Sequence, residues 1–302
     1  MAEDLAGLLS SGERAAFHGR PEAGVESLRR AVELAAAEDL VAEAAGAGWL
    51  LGVCHSSAGR YGTALDVLEP IASPEGGLTA ERQVFAALAG ASIASVHRQL
   101  GRHAVARGYD EEGLARTDGS GEAAFDCLLG LAADAVGLAE TATAREQLAA
   151  AEALVEGRPD WWRQRVRLGW LAAEVGLLTG DAEAAAAAAE QAVDLAERSG
   201  APRHVAKGLL FLGVAQVEAG RLAEATTALK RGGLLAESLG TLPLLWPTRA
   251  LLGALLAERD GPLSAQALES ARTTVLAIAE DVPADLRAEW LARPDVGALL
   301  AG

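Results

Sequence analysis

The stretch GRLAEATTALKRGGLLAESLG, residues 220–240, decides the fold. A glycine and a charged residue open it. Ala225, Leu229 and Gly232 follow at spacings of four and three, and the run closes on Ser-Leu-Gly. Spacings of three and four place side chains on one face of a helix. Gly220 sits where a helix is expected to end in a left-handed residue. The segment just before it, HVAKGLLFLGVAQVEAG, has the same helical spacing. The two together read as a helical hairpin with glycine at its turn.

The pattern recurs. Gly19-Arg20, Gly59-Arg60, Gly101-Arg102, Gly180-Asp181, Gly220-Arg221 and Gly261-Pro262 lie roughly 40 residues apart, with one double-length gap. That gap predicts a further turn near Ala139-Glu140, where LAETATAREQLAAAEAL continues the pattern without its glycine. Pro21 and Pro262 follow their glycines at helix starts, where a missing N–H is harmless. A hairpin cannot bury its apolar stripe alone, but stacked hairpins can.

The composition agrees. Half of the chain is hydrophobic (51%) but only 4% is aromatic, so the core must be built from Ala and Leu. Small side chains let helices approach closely, and Ala has the best helix propensity. β-Branched residues form no runs that would build strands. The predicted hairpins span about 3–38, 40–73, 78–117, 121–157, 160–199, 202–239 and 243–281, with a cap at 283–302. No linker rich in Pro, Gly or Ser interrupts them, so one continuous domain over 1–302 is expected. PEGGLTAE at 74–81 is the longest loop-like interruption.

This organisation resembles the tetratricopeptide repeat family. On the second helix the family's small–large–small pattern is matched by Gly24–Leu28–Ala31, Ala64–Leu68–Ile71, Ala144–Leu148–Ala151, Ala185–Ala189–Ala192 and Ala225–Leu229–Gly232. On the first helix a large–small pair stands seven residues before each turn: Leu51-Gly52, Ile93-Ala94, Leu131-Ala132, Ala172-Ala173 and Leu212-Gly213. The third unit departs from the pattern with Ala106–Asp110–Gly113. The period near 40 exceeds the family's usual length and is similar to arrays attached to large bacterial signalling ATPases and transcription regulators. The resemblance implies an all-α, right-handed superhelical solenoid of about seven antiparallel hairpins with a C-terminal capping helix, which PADLRAEWLARPDVGALL, broken at Pro294, suits. It also implies that first helices line a concave groove that binds peptides or helices of a partner protein.

Charge narrows the function. A formal net charge of −16 repels phosphate backbones, so nucleic acid is not expected as a partner. The excess of Arg over Lys and the absence of Asn read as the composition of a GC-rich genome. Some members of the family clamp a C-terminal carboxylate with paired Lys and Asn; a chain without Asn does not fit that role. Two cysteines, Cys54 and Cys127, make no secreted disulfide framework. The N-terminus is acidic where a signal peptide would be basic. The longest uncharged run, Ala44 to Gly59, is too short and Gly-rich to span a bilayer. A cytoplasmic protein is expected.

Catalytic patterns are missing. There is no phosphate-binding Gly-rich Lys-Ser/Thr loop and no nucleophile elbow, and GSGEAAF at 119–125 reads as a loop between repeats. Cys54 and His55 are adjacent on one helix and diverge; His55 and His97 occupy equivalent places that suit packing. No cofactor or metal is expected, and an enzyme is a remote alternative to a scaffold. A second alternative is a sensor whose pitch changes when a ligand or peptide enters the groove.

Six residues stand out for binding. Arg163 and Arg167 are four apart on the first helix of the fifth unit; Arg203 and Lys207 are four apart on the first helix of the sixth. Each pair lies 40 residues from the other, so the repeat sets them side by side. Four neighbouring cations repel unless something anionic joins them. An acidic peptide segment or anionic ligand would satisfy them, with Trp170 as a stacking wall. Trp49, at the matching place in the second unit, faces the groove by the family pattern. The alternative has Glu122–Arg163 and Asp126–Arg167 as salt bridges between repeats, each worth up to about 1 kcal/mol if exposed.

Overall fold

A computed structural model describes residues 4–73 and 79–302 of the chain. Residues 74–78 of the expected loop lie outside the described residues. Every regular element among the described residues is an α-helix. Fourteen form seven hairpins: α1 (Leu5–His18) with α2 (Pro21–Ala37), α3 (Val41–Ser57) with α4 (Tyr61–Ala72), α5 (Ala80–Gln99) with α6 (His103–Ala115), α7 (Gly121–Gly137) with α8 (Thr141–Val155), α9 (Trp162–Leu178) with α10 (Ala182–Arg198), α11 (Pro202–Glu218) with α12 (Leu222–Leu239), and α13 (Leu242–Leu256) with α14 (Gly261–Asp281). The chain divides into two compact units, one ending at Arg158 and the other beginning at Pro159. No helix of the described residues is long and apolar enough to cross a membrane.

Within each unit the first helices pack in a row. In the first unit α1, α3, α5 and α7 are successive neighbours; in the second, α9, α11 and α13. Each second helix packs on its own first helix and, within a unit, on the first helix of the following hairpin. The large–small pairs explain how the hairpins close. A Cβ at Gly52 would lie 2.4 Å from Leu68 Cγ, and a Cβ at Gly213 would lie 2.6 Å from Leu229 Cδ2. Gly12 meets Leu28 in the same way. The missing methyl on the first helix is thus a socket for the leucine of the second. Each such leucine is fully buried, a burial that contributes about 1.5–3 kcal/mol. The fifth hairpin uses small residues on both sides: Ala173, Ala185 and Ala189 share one buried cluster, and a Cβ at Gly169 would reach Ala192 Cβ at 2.9 Å. The alanine run of α10 therefore works as a closely approaching surface.

The turns follow the glycines at four places. Gly59, Gly101, Gly180 and Gly220 have φ between 73° and 84°. Arg60 N–H donates to the His55 carbonyl (2.9 Å) and Gly59 N–H to that of Ser56 (3.1 Å), which satisfies two carbonyls that the helix end would orphan. The glycine-free turn falls where the gap placed it: Ala139 takes a left-handed φ of 59°, and Glu140 N–H donates to Ala135 at 2.8 Å.

Two glycines behave differently from the expectation. Gly19 is extended, with φ −139°, and Gly261 is the first residue of α14. The turn before α14 closes instead through bonds from Arg259 and Asp260 N–H to the Leu256 carbonyl, so no left-handed residue is required. The cap is also two helices rather than one. α15 (Ala284–Leu291) buries Trp290, and Pro294 opens α16 (Pro294–Ala301), whose Leu299 carbonyl accepts from Arg272 Nε at 2.8 Å. Proline is disfavoured inside a helix, and it restarts one here.

Candidate functional site

The candidate site lies in the second unit, on the row formed by α9 and α11. Arg163, Arg167 and Trp170 come from α9, Arg203 and Lys207 from α11. The four cations converge on one group that sequence reasoning passed over, His204. Its imidazole is 2% exposed. Burial is the main cause that holds its pKa well below the ordinary 6.5, followed by repulsion from Arg203, Arg163, Arg167 and Lys207. All four positive charges are therefore felt at a single ring. Each of the four is half-buried and interacts with at least one neighbour.

The aromatic residues form the floor. The His204 ring stacks on Trp170 at 5.3 Å and 27°, and meets Trp162 edge-on at 5.3 Å. Lys207 Nζ sits 4.8 Å from the Trp170 ring centroid and 5.7 Å from that of Phe211. A cation over an aromatic face is stabilised by the ring quadrupole, by about 0.5–1 kcal/mol where exposed and more where dry. Gly208 lets α11 approach α10 beside the indole: a Cβ there would lie 2.7 Å from Val193 Cγ2 and 3.4 Å from Trp170 Nε1. Both Trp170 Nε1 and His204 Nδ1 are buried without a hydrogen-bond partner.

This changes the role expected of Trp170. It is only 7% exposed and belongs to a core cluster with Val166, Val193, Val205 and Leu209. It cannot act as an open stacking wall; it supports Lys207 and His204 from below. The sequence signal that could have found His204 was its place between Arg203 and Lys207, one and three residues away. Its burial depends on rings from α9, which α11 alone does not reveal.

Trp49 falls in the first unit. Its Nε1 donates to Ser92 Oγ at 3.1 Å, and its half-buried ring lies between Phe17 and Phe85 at 6.3 and 6.5 Å. It thus sits on the first-helix row of α1, α3 and α5. The six residues divide into five that the second unit gathers and one that the first unit holds separately.

No three His, Cys, Asp or Glu side chains among the described residues are placed to hold a metal ion. His55 and His97 are buried, and His97 stacks on Tyr109 at 5.5 Å, as packing requires. Burial, then Arg102 and Arg98, hold its pKa down at about 4. Cys54 and Cys127 are buried free thiols. A polar cluster of Arg98, His103, Asp110 and Asp134 occurs in the first unit, but both carboxyl groups are fully buried, so no substrate reaches them.

No protein-family profile and no curated protein matches the chain. Solved structures do. A Rap protein complexed with the competence and sporulation factor matches 98% of this chain over 80% of its own, with a TM-score of 0.69 at 12% identity. The Cut9–Hcn1 hetero-tetramer of APC/C matches 96% over 48% of its chain (TM-score 0.60, 17% identity). A signal-transduction ATPase with numerous domains from Pyrococcus horikoshii, which carries a tetratricopeptide repeat sensor, matches 91% over 42% (TM-score 0.52, 13% identity). The fold is that of tetratricopeptide-type helical-repeat proteins; at these identities the likeness concerns fold alone.

Proposed function

We propose that the protein is a non-enzymatic cytoplasmic scaffold that binds a partner peptide or helix, with residues 1–302 as one array of hairpins. In this reading Arg163, Arg167, Arg203 and Lys207 hold an acidic segment of the partner. The observation that carries it is the convergence of four cations on buried, neutral His204. Like charges gathered at one low-dielectric place repel, and an anionic ligand converts that repulsion into attraction. The Rap structure, solved in complex with the competence and sporulation factor, supports a binding role for this fold. Trp49, with its ring among Phe17 and Phe85, is the corresponding aromatic contact of the first unit.

Two experiments test this. Affinity capture from the native cell, with mass spectrometry, is expected to recover a protein with an acid-rich segment. Capture by the Arg203→Glu, Lys207→Glu double variant is expected to lose it. Equal capture by the variant would mean that the cluster is structural. A sensor reading makes a different prediction: X-ray scattering of the protein with and without the captured partner's peptide changes shape for a sensor and stays the same for a passive scaffold.

A further inference from the structure

The third hairpin breaks the repeat at two places and the first helix of the fourth at one. Asp110 stands where the second helices of other hairpins carry Leu28, Leu68 and Leu229. Asp134, five residues before its turn, stands where Cys54, Val96, Val175 and Ala215 are found. Arg98, three before its turn, replaces the type of residue seen at Val136, Leu177 and Val217. The three meet in the core of the first unit. Arg98 Nη1 donates to Asp110 Oδ2 at 2.5 Å and to Asp134 Oδ2 at 3.0 Å. Asp110 leans into α7, where Gly130 leaves room: a Cβ there would overlap its carboxyl group at 2.2 Å. His103 occupies a second gap, at Gly137, with Nδ1 3.5 Å from Asp134 Oδ1.

One guanidinium thus serves two fully buried carboxyl groups, and Oδ1 of each accepts no hydrogen bond. Apart from His103, which faces Asp134, the remaining charged groups around Asp110 add no positive charge to that of Arg98. α7 adds Asp126, which raises the negative potential. Arg107 of α6 is engaged with Glu140 beside α8. His97 of α5 packs on Tyr109 and is held neutral by burial and by Arg102 and Arg98.

We propose that this junction is a proton-dependent clasp: Asp110 is held as the neutral acid, and release of its proton to solvent leaves two carboxylates facing one guanidinium and loosens the packing of α6 on α7. Burial first, with Asp134 and Asp126, pushes the Asp110 pKa up to about 8 against the opposing pull of Arg98. The unfolded chain loses this proton near pH 3.8 and the folded chain near 8. Stability from this group is therefore complete below about pH 3.8 and is lost as pH rises to about 8. Small alkaline changes would then alter the joint between the third and fourth hairpins, independently of anything bound in the second unit.

Hydrogen exchange tests the clasp on the full chain. Protection factors of α6 and α7 amides, corrected for intrinsic exchange, are expected to fall by about tenfold between pH 7 and pH 9 in the wild type. Asp110→Asn keeps the shape without the titration, and its fall is expected to stay below about twofold. An equal fall in both proteins would overturn the proposal. Should Asp110→Asn not fold, the wild-type carboxyl ¹³C shifts decide: one carboxyl of the pair titrating near pH 8 supports the clasp, and both titrating below pH 6 overturns it.

Discussion

Gly213 and Leu229 show how much a single absent methyl specifies. The socket is closed to any side chain, because even a Cβ would lie 2.6 Å from Leu229 Cδ2. Ala225, fully buried on α12, is equally confined. Gly213→Leu and Ala225→Leu are each expected to destabilise by about 1–3 kcal/mol or more in thermal melts; unchanged melting would mean that the socket is not packed as described. His204 gives a pH test of the opposite sign to Asp110. Its folded pKa lies well below 6.5, so the unfolded chain takes up a proton that the folded chain refuses. Stability of the second unit is present above about pH 6.5 and lost as pH falls below it, by up to about tenfold in the unfolding constant per pH unit. Urea titrations at pH 7 and 5 are expected to show the loss, and His204→Phe, which keeps a ring between Trp162 and Trp170, to reduce it. Some of this was legible in sequence. Small and large positions were readable because the repeat displays them many times, and Asp110 was visible as a departure. Its partners were not, because Arg98 and Asp134 lie on other helices and become neighbours only through stacking. Trp170 and His204 were hidden for the same reason: their burial is a property of α9 against α11.

At the scale of the element, the turn is the informative unit. Four of the seven hairpins turn on glycines in the left-handed region, and one turns on Ala139 at φ 59°. A side chain there costs about 1–2 kcal/mol. Gly220→Ala is therefore expected to destabilise by about that amount, and Ala139→Gly to stabilise by up to about 1 kcal/mol, offset by glycine's greater entropy in the unfolded chain. Chemical denaturation of both variants checks the pair; the same sign for both would contradict it. Helix number and order were readable from spacing alone, because stacked hairpins repeat one solution. The ends were less readable. Gly19 and Gly261 look like turn residues in sequence, yet Gly19 is extended and Gly261 is the first residue of α14, whose preceding turn closes through Arg259 and Asp260 N–H.

At the scale of the whole molecule, a chain of formal charge −16 gathers four cations around one buried histidine in its second unit. That contrast could be read from the sequence as two i, i+4 pairs one repeat apart; the aromatic floor beneath them could not. If the cluster served stability, reversing two of its charges would weaken the protein. If it serves binding, reversal removes binding with little change in stability; the cation–aromatic contact of Lys207 is worth about 0.5–1 kcal/mol. The most direct measurement is therefore a paired one. A fluorescein-labelled decapeptide of glutamates is titrated by anisotropy into wild type and into Arg203→Glu, Lys207→Glu, and both proteins are melted under the same conditions. The account predicts salt-sensitive binding to the wild type, at least about tenfold weaker binding to the variant, and melting within about 2 °C. Equal affinity for the two proteins, no binding to either, or a fall in melting temperature that accompanies the loss of binding would contradict it.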